Sequence, residues 1–364
     1  MRRFTLMLAL LAPFLAPTRP AVADETGSAM ADAAGRFLAA LDDAQRAKAS
    51  FAFESPERTN WHWIPRERQG VPIKAMTSEQ RALAFGLLNT GLSTAGAIKA
   101  TTIMSLEGLL KEMEHGTGPV RDPELYFFSV FGEPGPRGNW GWRVEGHHLA
   151  LNYTLVNGRG VSATPFMFGS NPAEVKAGPR KGLRNLADIE GPANALMTSL
   201  SLAQRKLAIV AEVAPEVTTT PNSEQVEGLF FGSSFGGLAG GGPLTDQPSA
   251  RGVEPANLGI GLGELNDDQR ALLMNLLNAY GANFPESLRG EILGSADKDA
   301  LLRFAWYGPT DPTKPHAFRV TGQTVLIDFN DTQNETNHIH TFYRRVQRDF
   351  GNQQYATPQR SRGQ

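Results

Sequence analysis

Two stretches of the chain, 189 residues apart, read nearly alike. Gln80-Arg-Ala-Leu-Ala-Phe-Gly-Leu-Leu-Asn89 and Gln269-Arg-Ala-Leu-Leu-Met-Asn-Leu-Leu-Asn278 agree at seven of ten positions. The match extends backwards at the same offset, with Gly70-Val71-x-Ile73 against Gly259-Ile260-x-Leu262. Upstream, Leu41-x-x-Ala44-Gln45-Arg46 answers Leu200-x-x-Ala203-Gln204-Arg205. Downstream, Val130-Phe131-Gly132 answers Trp306-Tyr307-Gly308, and Arg143-Val144-x-Gly146 answers Arg319-Val320-x-Gly322. Blocks recurring in the same order are the mark of an internal duplication.

The recurring blocks also predict local structure. Each of Gln45, Gln80, Gln204 and Gln269 stands three residues after a good helix cap: Asp42, Thr77, Ser201 and Asn266. That spacing predicts a capping box, in which two orphan backbone donors are satisfied reciprocally. Two helices therefore start in each half. After them, Leu149, Leu151 and Tyr153 alternate with polar or small residues, and Val325, Ile327 and Phe329 fall at the matching positions of the second half. That period predicts half-buried strands, opened by turns at Gly146 and Gly322. The expected fold is α+β: duplicated helix–helix–antiparallel-strand units over 24–185 and 186–350. No polar linker separates them, so one pseudo-twofold assembly is expected. The second half carries a Gly- and Pro-rich insertion near 232–263, read as a surface loop or a lid, and 351–364 reads as a polar tail.

Residues 1–23 have the pattern of a secretory signal peptide: Arg2 and Arg3, an apolar run from Phe4 to Leu15, and Ala21-Val22-Ala23 as the cleavage signature. The expected location is periplasmic or extracellular. No later segment has the length and apolarity to span a membrane. The 364 residues carry 35 Lys and Arg against 37 Asp and Glu, which excludes nucleic-acid binding by bulk charge. There is no Cys, so a metal site would use His and oxygen ligands, and no thiol nucleophile exists.

The histidines are unevenly shared between the halves. At the common offset of 176, His147 and His148 fall opposite Gln323 and Thr324, while His338 and His340 fall opposite Ser162 and Thr164. Half one has its paired histidines on a hairpin, and half two has them on its last strand. A pseudo-twofold assembly has two equivalent crossings of hairpin and final strand. One would hold all four of these histidines and the other none, which predicts a single site between the halves. A His-x-His pair on a strand puts both rings on one face, and imidazole suits zinc, copper and iron. The expected metal ligands are drawn from His147, His148, His338 and His340, with only one of the first pair ligating. Glu145 or Asp328 would be fourth ligand or general base. The metal is a divalent transition ion, zinc first, with copper, manganese or iron as alternatives. Trp61, Trp63 and Arg66, with Asn152 and Asn337, are the expected walls of a pocket for a small molecule or peptide. The chemistry that follows is metal-dependent hydrolysis, with a non-enzymatic metal- or ligand-binding protein as the alternative.

Several blocks carry a family resemblance. Trp61-x-Trp63-x-Pro65-x-x-Arg68, Glu145-Gly-His-His-Leu-Ala-Leu-Asn152, Thr164-Pro-x-Phe-x-Gly-Ser-Asn-Pro172 and Asp331-Thr-Gln-Asn-x-x-Asn-His-Ile-His340 resemble the bacterial family known as domain of unknown function 3500. The resemblance spans nearly the whole mature chain. It implies that the His blocks are family features, and it supplies no substrate.

Overall fold

The computed structural model of the chain describes residues 22–158, 160–215, 258–294, 296–345 and 348–351. The expected leader, apart from its last two residues, lies outside the described residues. So do most of the Gly-rich insertion and the tail beyond Gly351.

The capping boxes form as the spacing predicts. They open α2 (Asp43–Ala49), α3 (Ser78–Gly91), α6 (Leu202–Ala208) and α7 (Asp267–Gly281). The four glutamines also do something the spacing does not reveal. Gln45 and Gln80 exchange side-chain amide bonds of 3.1 and 2.7 Å, and Gln204 and Gln269 do the same at 2.7 and 3.0 Å. Each pair welds two helix starts together. The remaining helices are α1 (Val22–Ala40), α4 (Thr94–Met113), α5 (Ala187–Ser199) and α8 (Glu286–Leu293).

One mixed sheet of 13 strands runs through the molecule, which makes the fold α+β. From edge to edge its order is β1 (Ser50–Phe51), β3 (Phe127–Phe131), β4 (Trp140–Gly146), β5 (Leu149–Val156), β7 (Phe166–Ser170), β13 (Ile339–Arg344), β12 (Leu326–Asp331), β11 (His316–Thr321), β10 (Arg303–Tyr307) and β8 (Ile209–Ala211). The short strands β2 (Val71–Pro72), β6 (Gly160–Ser162) and β9 (Ile260–Gly261) pair with β3, β5 and β10. At each edge a two- or three-residue strand lies parallel to its neighbour, and antiparallel hairpins lead inward. The middle of the sheet is the antiparallel pair β7–β13, which puts Gly169 opposite His340 and Met167 opposite Phe342.

The main core lies between one sheet face and the helices. It contains Leu149, Leu151 and Tyr153 from β5, Ile327 and Phe329 from β12, and residues such as Phe37, Leu87, Ile103 and Leu276 from the helices. The alternation expected in β5 is present, yet all eight of its residues are buried. The reason is a strap formed by residues 53–68, which covers the outer face. Trp61 and Trp63 pack there with Ala150, Met167, Phe342 and Phe350. The two indoles lie 5.4 Å apart, and the Trp63 ring meets Phe342 edge-on at 4.8 Å. Large aromatic surfaces gain most from leaving water, so these tryptophans hold the strap down.

Candidate metal centre

His147 and His148 are the two-residue turn between β4 and β5. His148 has φ +61°, a left-handed conformation that is uncommon outside glycine but several-fold enriched for His, Asn and Asp. Both of its backbone groups are anchored. Its N–H donates to the Trp63 carbonyl at 2.9 Å, and its carbonyl accepts from Gly169 N–H at 2.8 Å. Its ring crosses Gly169, where a Cβ would stand 2.8 Å from the ring carbons. The glycine is what lets the imidazole reach past β7 to β13.

There it meets His338 and His340. His148 Nε2 lies 2.8 Å from His338 Nε2 and 3.2 Å from His340 Nε2. One nitrogen of each ring falls within 4.8 Å of the other two, and among the described residues no carboxylate joins the group. The His338 N–H donates to Asp331 Oδ1 at 2.9 Å, which fixes the chain just before β13. Immediately upstream, Asn334, Glu335 and Thr336 are all in the left-handed region, at φ +52°, +58° and +62°. Consecutive residues of this kind cost about 1–2 kcal/mol each. Asn337 holds the turn, accepting from Glu174 N–H at 2.7 Å and returning a bond to its carbonyl at 3.3 Å.

The protonation state follows from burial. His148 and His340 sit far below the ordinary imidazole range, first because burial penalises the cation and then because neighbouring histidines repel it. His338, half-buried, is pushed down to about 3 by burial and then by His147 and Arg121. Three neutral rings therefore converge through Nε2. Two imidazoles can share one N–H···N bond, but a single Nε2 is either a donor or an acceptor. His148 Nε2 cannot satisfy both neighbours. A cation accepting three lone pairs resolves the conflict. Tetrahedral ligands about 2.0–2.1 Å from zinc stand roughly 3.3 Å from one another, close to the longer observed spacing. His340 Nδ1 is buried with no hydrogen-bond partner among the described residues.

The other expected residues lie elsewhere. His147 is outside the converging group: its ring stacks on His148 at 3.7 Å, and its Nδ1 is 2.5 Å from Glu107 Oε1 on α4. Arg121 Nη1 lies 3.1 Å from the same Nδ1, and the rest of that guanidinium grips Glu114 at 2.9 and 2.8 Å. Glu145 is tied to Arg143 Nη2 at 2.9 Å and accepts the His62 N–H at 2.8 Å, so it braces the strap. Burial pushes its carboxyl up, against the pull of Arg143 and Arg68. Asp328 is paired with Arg319 through bonds of 2.6 and 2.9 Å. Asn152 donates to the Pro165 carbonyl at 2.9 Å. Trp61 and Trp63 are buried on the inner side of the strap, against Ala150, Met167 and Phe342. Arg66 borders a cavity of about 310 Å³ that also touches Glu107 and His147 and is lined by neither tryptophan.

Sequence reasoning missed Glu107 and Arg121. A signal for Glu107 existed: it continues the buried stripe Ile103, Leu106 and Leu110 of α4, where an acid needs a partner. Arg121 lies in a connecting loop and carried no such sign.

No curated protein and no solved structure matches the chain. A family model described as protein of unknown function (DUF3500) matches residues 23–352, nearly the whole described chain and both histidine blocks, and the chain belongs to that family.

Proposed function

We propose that the protein is an exported, metal-dependent hydrolase whose single centre is His148, His338 and His340, with zinc as the first candidate. The observation that carries this reading is the approach of two Nε2 atoms to His148 Nε2, which hydrogen bonding alone cannot satisfy. Three protein ligands leave a coordination position open, the pattern of catalytic rather than structural zinc. When bound there, the ion would supply Lewis acidity and an activated water at neutral pH. The chain's own residues do the rest. Gly169 and the Trp63 carbonyl orient His148, and Asp331 orients the backbone of His338. The half-burial of His338 leaves one side of the group open to approach.

The two halves are read as copies of one ancestral unit, with the site kept at one of two equivalent crossings. The paired blocks and the matching order of strands from both sheet edges support this reading. The alternative function, a metal-binding protein without chemistry, has one observation in its favour: Glu145 and Asp328, the two expected bases, are both committed to arginines. Elemental mass spectrometry of the purified mature protein tests the centre. Near-stoichiometric metal, lost in a His338→Ala/His340→Ala double variant, is the expected result. No metal in either protein, even after incubation with zinc, copper, manganese and iron salts, would end the metal reading. Retained metal with no hydrolysis across ester, amide and phosphoester panels would favour the binding protein.

A further inference from the structure

The cavity of about 310 Å³, at the small end of the range for ligand pockets, is walled by His147 but by none of the three converging imidazoles. Pro119, Leu125 and Phe127 form apolar wall, with Glu107, His147 and Arg66 supplying polar atoms. Its charges are mostly spent. Asp122 is matched by Lys74 at 2.6 Å. Glu107 is taken up by His147. Arg68 points its guanidinium at the carbonyls of His62, Ile64 and Gly146. Arg66 is different. It is exposed, uses its Nε on the Glu67 carbonyl, and forms no ion pair among the described residues. Glu67 on the same rim likewise forms no ion pair among the described residues. Nearby, the His62 imidazole is pushed down to about 4 by burial and then by Arg66, Arg68 and Arg143.

We propose that this cavity binds a small organic carboxylate with an apolar body, the carboxylate on Arg66 and the body against Pro119, Leu125 and Phe127, at a site walled by none of the three imidazoles of the metal centre. Glu107 Oε1, 2.5 Å from His147 Nδ1, and Arg121 Nη1, 3.1 Å from the same nitrogen, hold that ring in the cavity wall.

Calorimetric titration of the full chain with phenylacetate, before and after zinc loading, tests the proposal. Inorganic phosphate serves as an anion without an apolar body. Phenylacetate is expected to bind in both metal states and to shift the His147 ring resonances while leaving those of His316 unchanged. Arg66→Ala, on the exposed rim, should weaken binding about tenfold, in line with the loss of one charge-assisted contact, and Arg66→Lys should restore part of it. No phenylacetate binding, equal binding of phosphate, or an unaltered affinity in Arg66→Ala would each overturn the pocket. Because binding is read without metal, failure of the metal centre and failure of the pocket are separable results.

Discussion

The outer face of β13 ends in two different ways. At one end, His340 lies opposite Gly169 and meets His148 across it. At the other end, Arg344 is fully buried and its Nε donates to Asp349 Oδ2 at 2.6 Å. Between them Phe342 packs under the strap tryptophans. The arginine end is complementary in charge. Asp349 also accepts the Arg345 N–H at 2.9 Å, and nothing further is required to satisfy it. The histidine end is the reverse: three like groups meet, with no acid among them. A fold can afford such self-mismatch where something else completes it, and buried polar groups that lack partners concentrate at functional positions.

The contrast makes four predictions. Asp349→Ala removes the carboxylate from a buried guanidinium and should cost about 3–5 kcal/mol in denaturant unfolding, while the folded fraction keeps its metal. His340→Ala should do the opposite. Apparent zinc affinities of about 10–16 kcal/mol shared over four ligands put one ligand at roughly 3 kcal/mol, or on the order of a hundredfold in a competition titration. The metal-free fold should lose less from it than from Asp349→Ala. A metal-dependent loss of stability in Asp349→Ala, or unaltered zinc affinity in His340→Ala, would erase the distinction between the two ends.

Acid should separate the ends further. His338 titrates near 3 in the folded chain against 6.5 as a free group. Between those values the unfolded chain binds a proton that the native chain refuses, so metal-free stability should fall as pH drops from 6.5 toward 3. Asp331, pushed up to about 6 by burial, works in the other direction: its native carboxyl is protonated where the unfolded one is ionised. His338→Ala should therefore lessen the acid loss, with His148 and His340 supplying what remains, in unfolding midpoints measured from pH 7 to pH 4. The same slope in the variant and the parent would show that the ring is not held neutral. The smallest effect is expected of Gly169→Ala. The new Cβ must displace the His148 ring, and affinity for zinc should drop about tenfold with all three ligands still present, as for changes that disturb ligand orientation.

Much of this contrast was readable before any coordinates. Capping boxes are local, so Asp42 and Gln45 announce a helix by themselves. The meeting of His148 with His338 and His340 is not local, but the recurring blocks placed a hairpin of one half beside the last strand of the other, and strand period put His338 and His340 on one face. The same logic contained the fate of Asp328. At the offset of 176, Arg319 falls opposite Arg143 and Asp328 opposite Asn152 in the sequence, and Arg319 with Asp328, like Arg143 with Asn152, are cross-strand neighbours at the register observed. An acid directly opposite an arginine is an ion pair before it is a base. What stayed hidden depends on distant packing. Glu107 reaches His147 across 40 residues of sequence, and no spacing rule connects a helix stripe to a hairpin turn. Trp61 and Trp63 were expected at a pocket wall because they sit near arginines. Their area decided otherwise, and the strap they anchor buried them.

The central claim is that three imidazoles, and no carboxylate, hold the ion. X-ray absorption at the metal edge of the zinc-loaded protein tests it most directly. The account predicts three nitrogen ligands at about 2.0–2.1 Å with imidazole outer-shell scattering and one further light atom, all lost in a His148→Ala/His338→Ala/His340→Ala variant. A shell dominated by oxygen, or an unchanged spectrum in that variant, would place the ion elsewhere and contradict it.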